Sequence, residues 1–452
     1  MKRYWMFAVA VLILLGMLPP PAFAAEAPKV TVSGAYYFMT SWSKNIVDTT
    51  YTNDETLWMS HPRGLTTITG QVGKAKAVTS FEMDFAIGKL PETGIGAGLG
   101  GGIDLGFDEK EEIEVKWLYL EFPFTGPGSL LPMIGVPTTA RVGGQPFSGH
   151  DFKRVLAVDQ FGGLNFVTAV APNVKNTFTY VQSEEGGESL NTAPDSFAIL
   201  DSVQFSPQKG VTVKPTFAYY FNERDTGTAA TTETTFLGAE IKWSEGPFSL
   251  EPSFFYQWGE SRTPGSADLD INAWIFDVIA GWRQGPLKLG GRFVFTPGDK
   301  PNDPVGDDID FWSDIWNSST YWAGWSQIFT TGIDFYRQLN GTGSSFGWNA
   351  GGVNHGRIGA AAKADYAVTP ALSLTGVLHG FWTAEDVDTT GNGIGDENLV
   401  GTEVAAWLTW KFAPRLTLYT GYAHLFPGDA LDSATASADG VDMWSTRLFF
   451  SF

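Results

Sequence analysis

The chain contains no cysteine and only five histidines in its 452 residues. The lack of cysteine excludes disulfides, thiolate zinc sites and attachment of a c-type haem. The histidines are scattered at His61, His150, His355, His379 and His424, with no G-x-S-x-G or similar motif near them. Because an active nucleophile needs a base and an orienting group beside it, the sequence does not predict an enzyme.

Positive charge is also scarce, since 29 Lys and Arg stand against 49 Asp and Glu, for a formal net charge of -20. Proteins that bind nucleic acid usually carry a basic surface, so we expect no nucleic-acid partner. Aromatic residues make up 14% of the chain, which argues against disorder.

Long apolar runs are missing except near the N-terminus, where residues 7–18 form one behind a basic start. Three prolines and an A-x-A site ending at Ala24 follow this run. This order predicts a cleaved secretory signal peptide over residues 1–24. No later stretch approaches the roughly 18 apolar residues expected of a transmembrane helix. We therefore predict that residues 25–452 form a single domain.

Apolar and polar residues alternate with a period of two over most of this domain. Within 403–412, Val404, Ala406, Leu408, Trp410 and Phe412 alternate with Glu403, Thr409 and Lys411. The ranges 78–87 and 286–296 show the same pattern, and a helical period fits none of them. Such alternation, bounded by Gly, Pro, Asn and Asp, is typical of β-strands.

About 18 strands can be placed in this way, and 16 is the alternative count. The predicted strands near 163–170, 234–243 and 401–412 illustrate their length. Their connections alternate between short turns and long loops, and one of the turns, at 124–137, is longer than the others. Short turns at one end, long loops at the other and an even strand number are typical of outer-membrane barrels.

We therefore predict an all-β transmembrane antiparallel β-barrel of the outer-membrane type, with short periplasmic turns and long extracellular loops. Hydrocarbon offers no hydrogen-bond partners, so only a closed sheet can cross it as strands. A secreted β-sandwich or a lectin-like solenoid is the alternative. Aromatic residues near strand ends suit the two interfacial girdles: Trp58, Trp117, Tyr119, Trp243, Tyr256, Trp258, Trp274, Trp282, Trp410 and Trp444.

Eighteen strands would enclose a lumen roughly 35 Å across, too wide for wall side chains to fill. We expect an aqueous channel that loops make narrower. Alternation predicts a mildly cationic wall that could set ion preference. The predicted pore-lining residues are Glu82, Asp84, Glu114, Lys116, Arg141, Lys214, Glu240, Lys242, Glu251, Asp277, Arg283, Lys288, Arg292, Arg357, Lys363, Asp365, Glu403, Lys411 and Arg447.

The long segment 298–356 combines many aromatic residues with carboxylates. A loop of this length is commonly functional or disordered. We expect a constriction or lid in the pore, contact with a carbohydrate, or a packed external loop. The candidate contact or constriction residues are Asp310, Trp312, Trp316, Trp322 and Trp325. Segment 148–162 alternates little and is a second candidate to fold inward.

Residues 386–397 partly match the template of a calcium-binding loop. Asp386, Asp388 and Glu397 occupy positions 1, 3 and 12 of the template, but Thr390 stands at position 5. The sequence predicts no flanking helices. A solvated acidic turn therefore competes with a calcium site, and we expect no other cofactor.

The closing strand predicted over 443–452 ends at the aromatic Phe452 after clean alternation. This ending resembles the C-terminal assembly signal of bacterial outer-membrane proteins. Together with residues 140–145, it also resembles porins of Gram-negative bacteria. The stretch 401–452, with Gly-Tyr-Ala-His-Leu-Phe-Pro-Gly-Asp at 421–429, is similar to outer-membrane barrels of the alginate-export type. Thr-Pro-Gly-Asp at 296–299, before a long aromatic loop, is similar in layout.

The resemblance implies an 18-stranded monomeric channel whose Arg- and Lys-rich lumen conducts a polyanionic polysaccharide outward. Eight predicted lumen acids depart from that pattern. The leading prediction is therefore a porin for passive diffusion of small hydrophilic solutes or ions. A gated exporter or uptake channel for an oligo- or polysaccharide is the alternative, and an adhesin or a sheath for an electron-transfer partner is a further one. The expected partners are outer-membrane lipid, the outer-membrane assembly machinery and the solutes or saccharides.

Overall fold

The fold is given by a computed structural model of the whole chain. It describes residues 27–46, 56–84, 113–147, 149–156, 159–184, 196–224, 230–299, 308–315, 325–329, 355–389, 395–432 and 436–452.

Eighteen strands make up nearly all of the described secondary structure. Their bounds are β1 Lys29–Lys44, β2 Thr56–Val72, β3 Ala75–Asp84, β4 Ile113–Thr125, β5 Thr138–Phe147, β6 Asp159–Ala171, β7 Val174–Glu184, β8 Ser196–Gln208, β9 Val211–Arg224, β10 Ala230–Glu245, β11 Phe248–Arg262, β12 Leu269–Gln284, β13 Leu287–Thr296, β14 Arg357–Ala367, β15 Leu372–Val387, β16 Glu397–Ala413, β17 Leu416–Pro427 and β18 Val441–Ser451. A short 3-10 helix at Asp429–Leu431 precedes β18. No described helix is long and apolar enough to serve as a membrane span.

Each strand pairs antiparallel with its neighbours in sequence, and β1 pairs with both β2 and β18. The sheet is therefore a closed barrel without a free edge. The prediction of 18 strands is confirmed, and the alternative of 16 is wrong. The predicted strand near 234–243 extends to Ala230–Glu245, and the one near 401–412 begins at Glu397. Both strands begin earlier in the chain than alternation indicated.

The two faces of the wall differ as alternation predicts. Along β11, Ser253, Phe255 and Gln257 point inward and are buried. The large side chains between and beside them are exposed on the outer face: Phe248, Leu250, Phe254, Tyr256 and Trp258. An apolar outer band of this kind suits contact with lipid.

The predicted girdle positions of Trp117 and Tyr119 are wrong. A register shift between Ser80 and Phe81 leaves Lys116 as an extra residue opposite β3. A bulge of this kind places two successive residues on one side of the strand. Trp117 and Tyr119 therefore share the inner face with the wall residues that they oppose on β3.

Seven connections at one end of the barrel are short, and the eighth, between β4 and β5, is an ordered extended turn. Within it, the Gly126 N–H donates to the Ile134 carbonyl (2.9 Å) and Leu131 N–H to the Phe124 carbonyl (2.9 Å). The long connections lie at the opposite end. We refer to these two ends as the short-turn end and the long-loop end.

The seam between β1 and β18 depends on close contact at Gly34. Its backbone exchanges two hydrogen bonds with Phe452, both 3.1 Å. The Phe452 ring stacks on Tyr36, with ring centroids 5.9 Å apart. A Cβ atom at Gly34 would lie 2.6 Å from both the Leu65 carbonyl oxygen and the Phe452 ring. Any side chain at this position therefore strains the closing seam.

We predict that Gly34→Ala lowers the free energy of unfolding of the refolded barrel by about 1–3 kcal/mol, because overpacking forces neighbours apart. Urea unfolding followed by tryptophan fluorescence measures the change. Gly70→Ala on the neighbouring strand is the control, since nothing lies within 4 Å of its Cβ position. Equal effects of the two substitutions would contradict the seam argument.

Candidate permeation pathway

The inner face of the barrel carries most of its ionisable wall residues. Cross-strand partners share a face, and the pairs Lys288–Asp365 and His379–Glu403 illustrate the inward register. The structure places 18 of the 19 sequence-predicted pore-lining residues on this face by the same register, and the side chain of Asp84 lies outside the description. Sequence reasoning missed further charged residues there, including Lys29, Arg63, Lys76, Glu121 and Lys175. All of these except Arg63 lie near strand ends, where alternation is short.

Two ion-pair networks occupy the wall from β2 to β5. In the first, the Glu82 carboxylate forms ion pairs with both Arg63 and Lys116. The Lys116 ammonium also lies 3.3 Å from a carboxylate oxygen of Glu114. The two cations and two carboxylates of this network, on β2, β3 and β4, balance one another, so this part of the wall is polar without a strong net charge.

In the second network, Glu121 accepts from Lys76 and from Arg141, each at 2.7 Å. Arg141 also lies over the Tyr119 ring, 4.6 Å from its centroid. The same cation-on-aromatic arrangement recurs where Arg447 covers Tyr419 at 4.5 Å. The inner wall thus presents aromatic faces beside fixed cations.

A third aromatic and cationic group joins the long segment to the wall. The Lys363 ammonium lies 5.4 Å from the Trp325 ring centroid and 5.9 Å from that of Trp407. Trp325 also fills the space left by Gly290, where a Cβ would lie 3.0 Å from the indole. Of the candidate loop residues, Trp325 is therefore placed inside the lumen.

Residues 149–156 fold into the lumen, as the sequence suggested for segment 148–162. The Glu240 carboxylate accepts from the backbone N–H groups of Phe152 and Lys153, the latter at 3.2 Å. The Lys153 ammonium donates to Asp277 Oδ1 at 2.8 Å, and Arg292 binds the other oxygen of Asp277. The lining role predicted for Glu240 and Asp277 is therefore an anchoring role.

The first residues of this segment form hydrogen bonds with β7, β8 and β9. The His150 ring contacts Thr179 Oγ1 at 2.7 Å and Ser202 Oγ at 3.2 Å. The Lys214 ammonium donates to the Gly149 carbonyl at 2.7 Å. Lys214 is therefore bound to the segment rather than exposed to an open channel.

Burial controls the protonation of this segment. It lowers the pKa of His150 to about 3, with Lys214 adding a smaller effect in the same direction. Burial also raises the pKa of Asp151, although the Leu156 N–H donates to its carboxylate at 2.7 Å. Burial lowers the pKa of Lys153, and the charge of Asp277 opposes that shift. His150 is consequently neutral near pH 7 and binds the wall through hydrogen bonds.

Residues 308–315 form a second inward segment. The Ile309 N–H donates to the Asp270 carbonyl and its carbonyl accepts from the Asn272 N–H, so the segment adds to the end of β12. The Gln257 amide donates to the Phe311 carbonyl and accepts from the Ser313 N–H, at 3.0 and 3.1 Å.

Of the predicted contact residues, Trp312 is buried against Phe236, with ring centroids 5.6 Å apart. Asp310 is exposed, and its N–H donates to Asp299 at 2.7 Å. Trp316 and Trp322 lie outside the described residues. Trp312 thus packs the interior, and a stacking platform for a solute is not available there.

Residues 325–329 form the third inward segment and bind Glu403 on β16. Glu403 accepts from the hydroxyl of Ser326, from the Gln327 N–H at 2.7 Å and from the Ile328 N–H at 3.4 Å. The ring of Phe329 packs on Phe381, with centroids 4.6 Å apart. Glu403 is fully buried beneath the segment.

The three segments build an apolar core inside the barrel. Val155, Leu156, Ile315, Ile328 and Phe329 pack with inward side chains of β7 to β18 in one buried cluster. The aqueous lumen expected from the sequence is thus partly filled, because wall side chains alone cannot span so wide a barrel. Glu240, Asp277 and Glu403 lie under this core and hold it in place.

The calcium template is not assembled among the residues that the structure describes. Asp386 lies within β15, Glu397 begins β16, and the intervening Val387 pairs with Glu397. The turn is closed instead by Asp396, which accepts from the backbone and hydroxyl of Thr389 at 3.1 and 3.0 Å. The described part of the chain contains no group of three or more His, Asp or Glu that could hold a metal. Asp388, the remaining template residue, lies between the end of β15 and Thr389.

Several exposed cations lie at the short-turn end of the lumen. Lys175, Arg283, Lys288 and Lys411 are exposed there and form no ion pair with any residue in the described ranges. A cavity of about 630 Å³ opens at this end and is lined by Gln71, Lys74, Lys76, Glu121 and Lys175, among others. This vestibule would attract anions more than cations.

The sequence matches the model of the alginate-export family over residues 202–441, more than half of the chain. No curated protein matches it. Among solved structures, it is similar to OccK8 (OprE) of Pseudomonas aeruginosa, with a TM-score of 0.52, 11% identity and coverage of 94% of this chain and 98% of that one. It is also similar to OccAB1 of Acinetobacter baumannii, with a TM-score of 0.52, 11% identity and coverage of 93% of this chain and 96% of that one. At such identities the likeness shows the shared barrel fold.

We predict that Asp277→Asn lowers the free energy of unfolding by about 3–5 kcal/mol, because it removes the negative charge that lies between the buried Lys153 and Arg292. Chemical unfolding of the refolded barrel measures the loss. Asp365→Asn is the control, because its pair with Lys363 is partly exposed at 3.5 Å and should contribute less than about 1 kcal/mol. A loss at Asp277 no larger than that at Asp365 would contradict the anchoring role.

Proposed function

Because the chain belongs to the alginate-export family, we propose that it is an outer-membrane channel for passive diffusion of small hydrophilic solutes or ions. The observation that carries the proposal is the closed 18-stranded wall, which is apolar outside and ionisable inside. A wall of this kind keeps water and ions within the lumen while lipid covers its outer face. The proposal assigns no catalytic activity to the chain.

Solutes would enter at the short-turn vestibule, where exposed cations raise the local concentration of anions. Farther along, the inward segments narrow the passage beside β7 to β18. The mixed-sign networks of β2 to β5 line the opposite part of the wall. The expected behaviour is a narrow, anion-preferring pore.

A second candidate function is export or uptake of an oligo- or polysaccharide. It is favoured by the three inner-wall groups in which a cation lies beside an aromatic ring: Arg141 with Tyr119, Arg447 with Tyr419, and Lys363 with Trp325 and Trp407. Aromatic faces can stack on sugar rings while the cations bind carboxylates. The family description, alginate export, agrees with such a substrate.

Two further proposals concern delivery to the membrane. Residues 1–24, which lie outside the described residues, would act as a cleaved signal peptide. The outward-facing Phe450 and Phe452, whose rings stack at 5.9 Å, would be recognised by the outer-membrane assembly machinery before the seam with β1 closes.

We predict that the refolded protein gives steady conductance steps in a planar bilayer and an anion-preferring reversal potential in a salt gradient. Replacing Lys175, Arg283, Lys288 and Lys411 by Gln should lower the anion-to-cation permeability ratio at least roughly twofold. Lys209→Gln, on an exposed turn, should leave the ratio unchanged. Silence of correctly folded protein would refute the channel itself.

For the second candidate, we predict that an oligouronate added at the short-turn side blocks the current of the wild-type channel. Trp407→Ala should weaken the block roughly tenfold, equivalent to about 1.4 kcal/mol of binding. Trp410→Ala is a matched control, because Trp410 lies on the same strand and faces outward. An unchanged block in Trp407→Ala, or equal block by a neutral oligosaccharide of the same length, would count against this candidate.

A further inference from the structure

The inward segments differ in how their hydrogen bonds to the wall are distributed. Residues 149–156 bind side chains of six strands, β7 to β12, and the Ile315 N–H donates to the Leu156 carbonyl at 2.9 Å, which joins 308–315 to them. Their wall partners are Thr179, Ser202, Lys214, Thr216, Glu240, Ser253 and Asp277. No single side chain controls the position of these two segments.

Residues 325–329 instead direct three hydrogen bonds of consecutive residues to one side chain, Glu403. The Ser326 hydroxyl oxygen also accepts from the Phe329 N–H at 2.9 Å, which closes the segment into a compact turn around that carboxylate. One hydroxyl and two backbone N–H groups thus share the two oxygens of one side chain. The Glu403 side chain therefore orders this turn.

The ring contacts described between this segment and the wall are aromatic or cation–aromatic. Phe329 packs on Phe381, and Trp325 lies over Gly290 and near Lys363. Such contacts have little directionality, so they allow displacement once the carboxylate no longer fixes the backbone.

Glu403 depends on the segment in return. It forms no salt bridge with any described residue, and its cross-strand neighbour His379 is buried with no hydrogen bond to either ring nitrogen from the described residues. Arg292, whose charge acts on His379, is bound to Asp277. A buried carboxylate without donors is costly. Displacement of the segment would expose Glu403 to water, which can replace the lost donors.

We propose that residues 325–329 are the moving gate of the lumen and that Glu403 is the latch that holds the gate inside. The other two inward segments are the fixed part of the constriction. The role as a gate rests on the proposed channel function, but the latch itself can be tested without any current.

The natural lack of cysteine makes the test direct. Ile328 is fully buried, so Ile328→Cys in the full chain, refolded in lipid vesicles, should react slowly with a membrane-impermeant maleimide. Adding Glu403→Gln turns one acceptor into an amide donor facing N–H groups, and should raise the labelling rate at least roughly tenfold. Ser326→Ala, which alters the segment and leaves the barrel wall intact, should raise it by a smaller factor.

Two controls separate release of the gate from general loosening. Leu156→Cys reports on the fixed segment, where the residue is also fully buried, and should stay protected with Glu403→Gln. Glu240→Gln makes the same chemical change at the other segment, and Ile328→Cys should remain protected there. The latch is refuted if Ile328→Cys labels rapidly with Glu403 intact, stays protected with Glu403→Gln in folded barrels, or becomes labelled together with Leu156→Cys.

Conductance then separates the gate from the channel. Glu403→Gln should increase the single-channel conductance at least twofold by a rough estimate, because the segment leaves the lumen. Rapid labelling with unchanged current would show that the released segment is no gate. If wild type and Glu403→Gln are both silent while labelling changes as expected, the channel proposal fails and the latch remains.

Discussion

Every other feature of this molecule depends on the need to pair each backbone N–H and C=O group of a wall that faces hydrocarbon. The pairing of β1 with both β2 and β18 meets that need and removes the sheet edge. Once the sheet is closed, apolar side chains can cover the outside continuously. The polar and charged residues of the same strands are then confined to the interior.

Closure creates a second constraint, because an interior of 18 strands is too wide for wall side chains to fill. The protein fills part of it with three segments from its long connections. Each segment brings backbone polar groups into a buried place, where they need partners. Glu240, Gln257 and Glu403 each supply two or more such bonds. The constriction is therefore held in place by side chains of the wall.

The charge of the lumen is distributed unevenly along its axis. In the middle of the wall, the buried carboxyl groups of Glu240, Asp277 and Glu403 are engaged with inward segments. At the short-turn end, exposed cations such as Arg283 and Lys288 remain available to solutes. This arrangement joins an entrance that attracts anions to a narrowed and partly apolar passage, which fits either a small-solute pore or a saccharide channel of the proposed kinds.

The sequence by itself determined the barrel, its 18 strands and the inner face of residues such as Lys288 and Glu403, because a period of two is a local property of a strand. It placed Tyr119 on the wrong face, since the bulge at Lys116 depends on pairing with β3. It also left open a calcium loop, in competition with an acidic turn, where β15 and β16 extend into the template. Only the tertiary structure decided that Glu403 binds residues 326–328, because that contact joins positions more than 70 residues apart in the sequence, and alternation carries no information about which wall residue an inward segment binds.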